Sequence, residues 1–315
     1  MKKHLLLSAL ILPAALAFTS CLDTNDNRQE QNINYGGSLC FNYVTDMHNP
    51  TAEPFVSLSP NYSFLIEYFS ATMTTSMSNI RLTADGSPLT FKTPELKASN
   101  TNNGNTISCN VTDVVPEGQT QSYVFDKLNI NITERTLASS SGVYKYSPIY
   151  DVRYTINNRY NVRVLPAYYD VVGKLTSTAT GTTDSHEGKM SIISLSLNPN
   201  SSAPATGKAK LEIYDVSFKA DFTESRIIAE DIPYTITPSG VSIHTESGTV
   251  YKIKDVTGKE IQGAGLSDII ITVDVPSGST SFSLHANVTG LQGENDAVDY
   301  DLSGRLQYYY NSTSN

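Results

Sequence analysis

The stretch "DVRYTINNRYNVRVL", residues 151–165, decides the fold class of this chain, because apolar and polar residues alternate along it. Its apolar members fall at every second position on either side of a polar interruption: Val152, Tyr154, Ile156, Val162 and Val164. Side chains two residues apart lie on the same face of a β-strand. The stretch therefore predicts strands with one buried face.

The same alternation recurs along the chain, in "SLCFNYV" (38–44), "YVFDKLNINIT" (123–133), "KLEIYDVSFKADF" (210–222), "TSFSLHANVTGL" (280–291) and "DYDLSGRLQYYY" (299–310). Clusters rich in glycine, proline and asparagine, typical of turns, separate these stretches. No amphipathic helix of about ten residues or more can be traced. The sequence predicts an antiparallel all-β protein, built as β-sandwiches or barrels.

The composition fits this class and limits the partners. The 315 residues include 19 tyrosines, no tryptophan and only 17% charged residues, with a net charge of −9. Tyrosine and β-branched residues suit half-exposed strands. An acidic surface disfavours nucleic acid, so no nucleic-acid partner is expected.

The first residues predict export of the protein from the cytoplasm. Lys2 and Lys3 precede an apolar run, Leu5 to Phe18, which has the length of a signal-peptide core and is too short to span a bilayer. The following "LAFTSC" resembles the lipobox of bacterial lipoproteins, although Phe18, Thr19 and Ser20 depart from its tightest form. The resemblance implies a signal peptide over 1–20 and a lipid on Cys21.

Residues 21–34 are polar and predict a flexible tether to an envelope membrane, outer-membrane-anchored and either periplasmic or surface-exposed. An ordinary signal peptide cut nearby, with an incidental cysteine, is the alternative.

The chain after this leader is long enough for two domains. Four pairs of stretches resemble each other in order: 35–46 with 170–181, 69–82 with 216–229, 127–133 with 268–274, and 149–156 with 299–306. A duplication with a boundary near Pro166 would explain them. We expect an N-terminal β domain over 35–165 and a C-terminal β domain over 166–315.

Cys40 and Cys109 both lie in strand-like stretches. An exported protein can form a disulfide, and two buried free thiols are the equal alternative. No CxxC pair or histidine at ligand spacing accompanies them, so neither a metal nor another cofactor is expected.

Catalytic motifs of known spacing are missing from the sequence, so no catalytic residue is assigned. His186 lies in a polar loop, where solvation is its commonest role, and His244 and His285 are expected on outward faces of strands. Tyrosines cluster at Tyr168, Tyr169, Tyr308, Tyr309 and Tyr310. They could stack on glycans, although filling strand faces is their more frequent role.

The lipobox-like start and the run "LEIYDVSFKADF…IIAEDIPYTI" resemble exported Bacteroidales lipoproteins of unknown function with tandem, calycin-like β domains. The stretch "YGGSLCFNYV" only approximates the Gly-Thr-Tyr-x-Gly strand with which those domains start. The resemblance implies a non-catalytic, lipid-anchored module that binds a glycan, lipid or protein. A fimbrial or other structural surface subunit is the alternative, and a glycan-processing enzyme comes third.

Overall fold

Strands account for all the regular structure of the described chain. The computed structural model describes residues 32–67, 71–101, 106–118, 123–139, 142–183, 185–214, 218, 226–274, 281–292 and 297–307. Within these ranges there are strands and no helices, so the all-β prediction is confirmed. It follows that these ranges hold no helix of the length and apolarity that crossing a bilayer requires. The predicted signal peptide and Cys21 lie outside the described residues.

The first sheet has ten antiparallel strands and forms a half-barrel, here called the first lobe. Its strands are β1 (Asn32–Asp46), β2 (Phe55–Glu67), β3 (Thr72–Ile80), β4 (Leu89–Lys92), β5 (Leu96–Lys97), β6 (Ser99–Thr101), β7 (Thr106–Val111), β8 (Phe125–Ser139), β9 (Gly142–Ile156) and β10 (Tyr160–Pro166). They follow the order β4-β3-β2-β1-β10-β9-β8-β7-β6, and β5 pairs with β3. The last strand therefore lies beside the first, as in an up-and-down barrel.

Short strands leave one side of the first lobe open. β4, β5 and β6 have four, two and three residues. β5 pairs with β3 and the following β6 pairs with β7, so one short stretch of chain touches both edges of the opening. Phe91, Leu96 and Val114 on this side are buried in the core of the first lobe.

The second sheet closes on itself and is here called the second lobe. Its strands are β11 (Tyr168–Ala179), β12 (Ser185–Pro199), β13 (Thr206–Tyr214), β14 (Arg226–Ile236), β15 (Gly240–His244), β16 (Tyr251–Lys254), β17 (Glu260–Asp274), β18 (Ser281–Gln292) and β19 (Ala297–Gln307). Eight strands follow the order β13-β12-β11-β19-β18-β17-β15-β14, and pairing of β13 with β14 completes a closed barrel. β16 pairs with β14 and β17 beside this ring.

The chain passes from one sheet to the other between Pro166 and Tyr168. The two lobes are not separate cores at this junction: Phe41, Tyr43 and Leu165 of the first lobe belong to the core cluster of the second. The Phe41 ring meets the Tyr234 ring edge-on, with centroids 6.1 Å apart. β1 itself begins at Asn32, inside the segment predicted as a tether.

The interior of the first lobe is filled by side chains that carry several polar groups. Cys40 and Cys109 are both buried, free thiols, the second of the two alternatives drawn from the sequence. The Tyr62 hydroxyl meets the Tyr154 hydroxyl at 3.4 Å in the same core. Burial raises the pKa of Cys40 to about 12 and that of Cys109 to about 11, so both thiols are protonated at neutral pH.

Two edges of the first lobe continue past the end of β10. β10 pairs with β1 from Cys40 onwards and with β9 from Val152 onwards. Residues Asn32–Ser38 of β1 and 142–151 of β9 lie beyond the end of β10. On the edge that would face β10, no described strand pairs with them. In the second lobe, β19 has eleven residues and pairs with both neighbours.

The predicted internal similarity matches this topology only in part. Segments 35–46 and 170–181 fall on β1 and β11, the first strands of the two sheets, and 127–133 and 268–274 fall on β8 and β17. Segment 69–82 holds β3, whereas 216–229 reaches into β14, although β13 is the third strand of its sheet. Alternating strands resemble one another in sequence, which allows such shifted matches.

Candidate functional site

A row of polar residues crosses four neighbouring strands on the outer wall of the second lobe. Thr178 on β11 lies opposite Asp301 on β19, Asp301 lies opposite Asn287 on β18, and Asn287 lies opposite Ser267 on β17. Their sequence neighbours Leu266, Val288 and Leu302 point into the core. Because side chains alternate across a strand, the row faces outward.

The row forms the floor of a groove with a volume of about 380 Å³. This polar groove is lined by Thr178, Ala179, Thr180, Gly181, Thr182, Ser267, Asn287, Thr289, Asp299 and Asp301. The turn after β11 supplies one wall, where Gly181 adopts a φ of 79°. All the lining residues except Ala179 and Gly181 carry polar side chains, which suits a hydrated ligand more than an apolar one.

Two β-bulges shape the groove. The pairing of β17 with β18 shifts between Ser267 and Ile270, and that of β18 with β19 shifts between Val288 and Leu291. Asp268 lies in the first bulge with a φ of 48°, and Gly290 lies in the second with a φ of 72°. Bulges redirect side chains and are frequent beside functional sites.

Acidic groups dominate the electrostatics of the groove. The Gly290 backbone N–H donates to Asp299 Oδ1 at 2.9 Å, and His285 Nδ1 lies 3.1 Å from Asp301 Oδ1. Beside the groove, hydrogen bonds from Ser247 and Asn287 hold the pKa of Asp268 below its usual range. The Asp268 carboxyl is therefore ionised at neutral pH and accepts these hydrogen bonds.

The arrangement can bind a ligand through hydroxyl, amide and carboxylate groups. Threonine and serine hydroxyls both donate and accept, the Asn287 amide does the same, and the carboxylates accept only. This set matches a molecule rich in hydroxyl groups. In the part of the chain that the structure describes, no three His, Cys, Asp or Glu side chains come together as a metal site would need.

The residues weighed from the sequence are placed as follows. His285 lies on the outward face, as predicted, and contacts the groove through Asp301, while His244 is exposed at the end of β15. Tyr168 is 41% exposed but Tyr169 is buried, and Tyr308–Tyr310 lie outside the described residues. His186 is a half-buried residue of β12.

Sequence reasoning did not find the groove, because its residues are spread from Thr178 to Asp301 and share no local spacing. The available signal was the outward register of polar residues in "TSFSLHANVTGL" and "DYDLSGRLQYYY". A scan of the chain against protein-family models found no match, and a search of curated proteins found no significant relative.

Proposed function

We propose that this protein is a lipid-anchored component of a bacterial cell envelope that binds a hydroxyl-rich ligand, a glycan, in the polar groove of its second lobe. The anchor rests on the lipobox-like sequence before Cys21. The ligand class rests on one observation, the row Thr178–Asp301–Asn287–Ser267 on the floor of the groove. Buried side chains occupy the interiors of both lobes, which supports binding on the outer wall.

A binding assay with paired variants tests the ligand class. Soluble glycans are titrated into the protein, and Asp301→Asn and Asn287→Ala are compared with Asp85→Asn, which changes an exposed carboxylate of the first lobe. Losing a hydrogen bond to a charged group costs about 1.5–3 kcal/mol, so Asp301→Asn should weaken binding by roughly tenfold or more. Equal affinity of all three variants and the wild type would contradict the proposal.

The same samples test the enzymatic alternative. Asp299 and Asp301 bring two carboxylates to one groove, as glycan hydrolysis requires. We expect the bound glycan to be recovered intact after long incubation. Release of shorter products by the wild type, and not by Asp301→Asn, would make the groove an active site.

Mass spectrometry of protein purified from cells tests the anchor. The first residue of the mature chain should be Cys21 carrying acyl chains, and Cys21→Ser should move the protein out of the membrane fraction. An unmodified thiol at that position would exclude the anchor.

The edges beyond β10 favour a second candidate, a structural surface subunit. Open strand edges accept an added strand from another chain. β19 pairs with β11 and β18 in the closed barrel as far as Gln307. Residues Gly304–Gln307 are therefore already paired within the second lobe and are not free to add to another chain. Polymers or dimers in native mass spectrometry that dissociate when β1 is charged by Asn34→Lys and Ser38→Lys would support this candidate.

A further inference from the structure

A second polar surface lies on a different wall of the second lobe, across β11, β12, β13 and β14. It consists of Tyr168, Asp170, Ser194, Glu212, Tyr214 and Arg226, here called the tyrosine trench. Asp170 lies opposite Ser194, and Ser194 lies opposite Glu212. The neighbouring Tyr169, Leu195 and Leu211 belong to the core, so this row faces outward.

The centre of the trench is buried although it faces outward. Ser194 is 6% exposed and Glu212 is 9% exposed, while Tyr168 at one end is 41% exposed. The Tyr168 hydroxyl lies 3.4 Å from Ser194 Oγ, and the Tyr214 hydroxyl and the Arg226 guanidinium both contact Glu212, so these longer side chains cover part of the polar floor. Tyr168 lies at one end of this polar floor, and Tyr214 with Arg226 lies at the other.

Hydrogen bonds fix both tyrosines in place. The Tyr168 hydroxyl donates to Asp170 Oδ1 at 2.7 Å, and the Tyr214 hydroxyl donates to Glu212 Oε2 at 2.6 Å. The Arg226 guanidinium donates to the same Glu212 oxygen at 2.6 Å and lies over the Tyr214 ring, 4.9 Å from its centroid. The rings are thus oriented before any ligand arrives, which lowers the entropy cost of binding.

The charges of this wall balance. Asp170 and Glu212 are negative, Arg226 is positive, and Lys210 pairs with the other oxygen of Glu212. Burial raises the pKa of Glu212, but hydrogen bonds from Lys210, Tyr214 and Arg226 outweigh it, so the carboxyl stays ionised. Burial and the adjacent Glu212 raise the pKa of Tyr214 to about 12, so its hydroxyl keeps its proton. A balanced surface favours an uncharged polar ligand.

We propose that the tyrosine trench binds a linear, uncharged glycan, separately from the polar groove. A pyranose ring has an apolar C–H face that can lie on the exposed Tyr168 ring, and hydroxyl groups that can pair with the half-buried Asp170 carboxylate and Arg226 guanidinium. Tyr168 and Thr178 are ten residues apart on β11, about 33 Å at the rise of an extended strand. One long glycan could therefore contact both surfaces and gain avidity.

Calorimetry with the full chain in detergent tests this proposal, using cellohexaose, maltohexaose and mannohexaose as probes. Tyr168→Ala removes the ring and should weaken binding of at least one probe by tenfold or more. The matched variant Tyr168→Phe keeps the ring and removes only the hydroxyl, so it should weaken binding by a few-fold. Thermal unfolding of each variant checks that the fold is retained.

The groove variant Asp301→Asn separates this proposal from the proposed function. If Tyr168→Ala weakens binding of a probe and the Asp301→Asn variant still binds that probe, the trench is a separate binding site. If only Asp301→Asn weakens binding, the groove holds the ligand and the trench proposal is overturned. If none of the three probes binds the wild-type protein, the trench proposal is likewise overturned.

Discussion

The two lobes are built by the same up-and-down winding, yet one closes and the other does not. In the second lobe the eleven-residue β14 pairs with β13 and β15 and completes the wall. In the first lobe the short β4, β5 and β6 occupy that part of the wall. Backbone pairing is complete around the second lobe, whereas on the open side of the first it is reduced to short strands and the isolated bridges Lys92–Glu117 and Val114–Phe125. The second lobe is therefore the more rigid support for a binding surface.

The largest expected effect comes from the junction between the lobes. Phe41→Ala removes a fully buried ring that packs on Tyr234 of the second lobe. We expect a loss of about 3–5 kcal/mol, together with separation of one unfolding transition into two, measured by calorimetry. Phe125→Ala is the control, since Phe125 is equally buried but packs on Phe91 and Tyr154 within the first lobe. A similar separation in both variants would mean that Phe41 does not couple the lobes.

Alkaline pH should distinguish the two interiors. Burial raises the pKa of Cys40, Cys109, Tyr62 and Tyr154 in the first lobe. Folding therefore favours their protonated forms. Their contribution to stability is complete below about pH 8.5–10, where these groups titrate in an unfolded chain, and is lost as the pH rises towards 12.

Thiol labelling at increasing pH provides the measurement. We expect Cys109 and Cys40 to become reactive before the chain loses its far-ultraviolet signal. Their pKa values, about 11 and about 12, lie below that of Tyr234 in the second core, which burial raises well above its usual range. Rapid labelling of both thiols at pH 7 would contradict the burial of this core.

A glycine substitution should show that the closed wall depends on its bulge. In Gly290→Ala, the new Cβ would lie 1.9 Å from the Gly263 carbonyl oxygen, at a φ of 72°. We expect a loss of about 1–3 kcal/mol from strain and weaker ligand binding, since Thr289 lines the groove. Gly258→Ala is the control, because its φ is also positive but nothing lies within 4 Å. Chemical denaturation compares the two, and equal losses would show that the contact with Gly263 has no cost.

The smallest effect is expected from the exposed ion pairs of the two lobes. Lys92 lies 3.0 Å from Glu117 in the first lobe, and Lys252 lies 2.9 Å from Glu260 in the second. Exposed pairs contribute about 0–1 kcal/mol, so Lys92→Ala and Lys252→Ala should each change the free energy of unfolding only slightly. A clearly larger loss in Lys92→Ala would mean that this pair holds the open side of the first lobe together.

The strands could be predicted from sequence and the closure could not. Alternation at Val152, Tyr154 and Ile156 reports which face of a strand is buried, and all three are buried. It does not report which strand lies next to which, because that depends on turns and on pairing between distant segments. Nothing in the residues "LTFK" (89–92) indicates that this strand lies at the edge of its sheet.

The candidate site shows the same limit. His285 could be placed on an outward face from its position beside Leu284. Its contact with Asp301 required the register between β18 and β19, and the orientation of Asn287 towards Asp268 required a bulge. Side chains that meet only through cross-strand register leave no spacing in the sequence that would identify them.

The shared core at the junction also has a consequence for synthesis. A ribosome completes residues 32–166 before the strands that cover Phe41, Tyr43 and Leu165 exist, since Tyr234 and the rest of that cluster come later in the chain. During that interval the nascent first half would expose an apolar patch formed by these three side chains. The first half alone therefore cannot bury these side chains, whether it is leaving a ribosome at about 5–20 residues per second or an export channel.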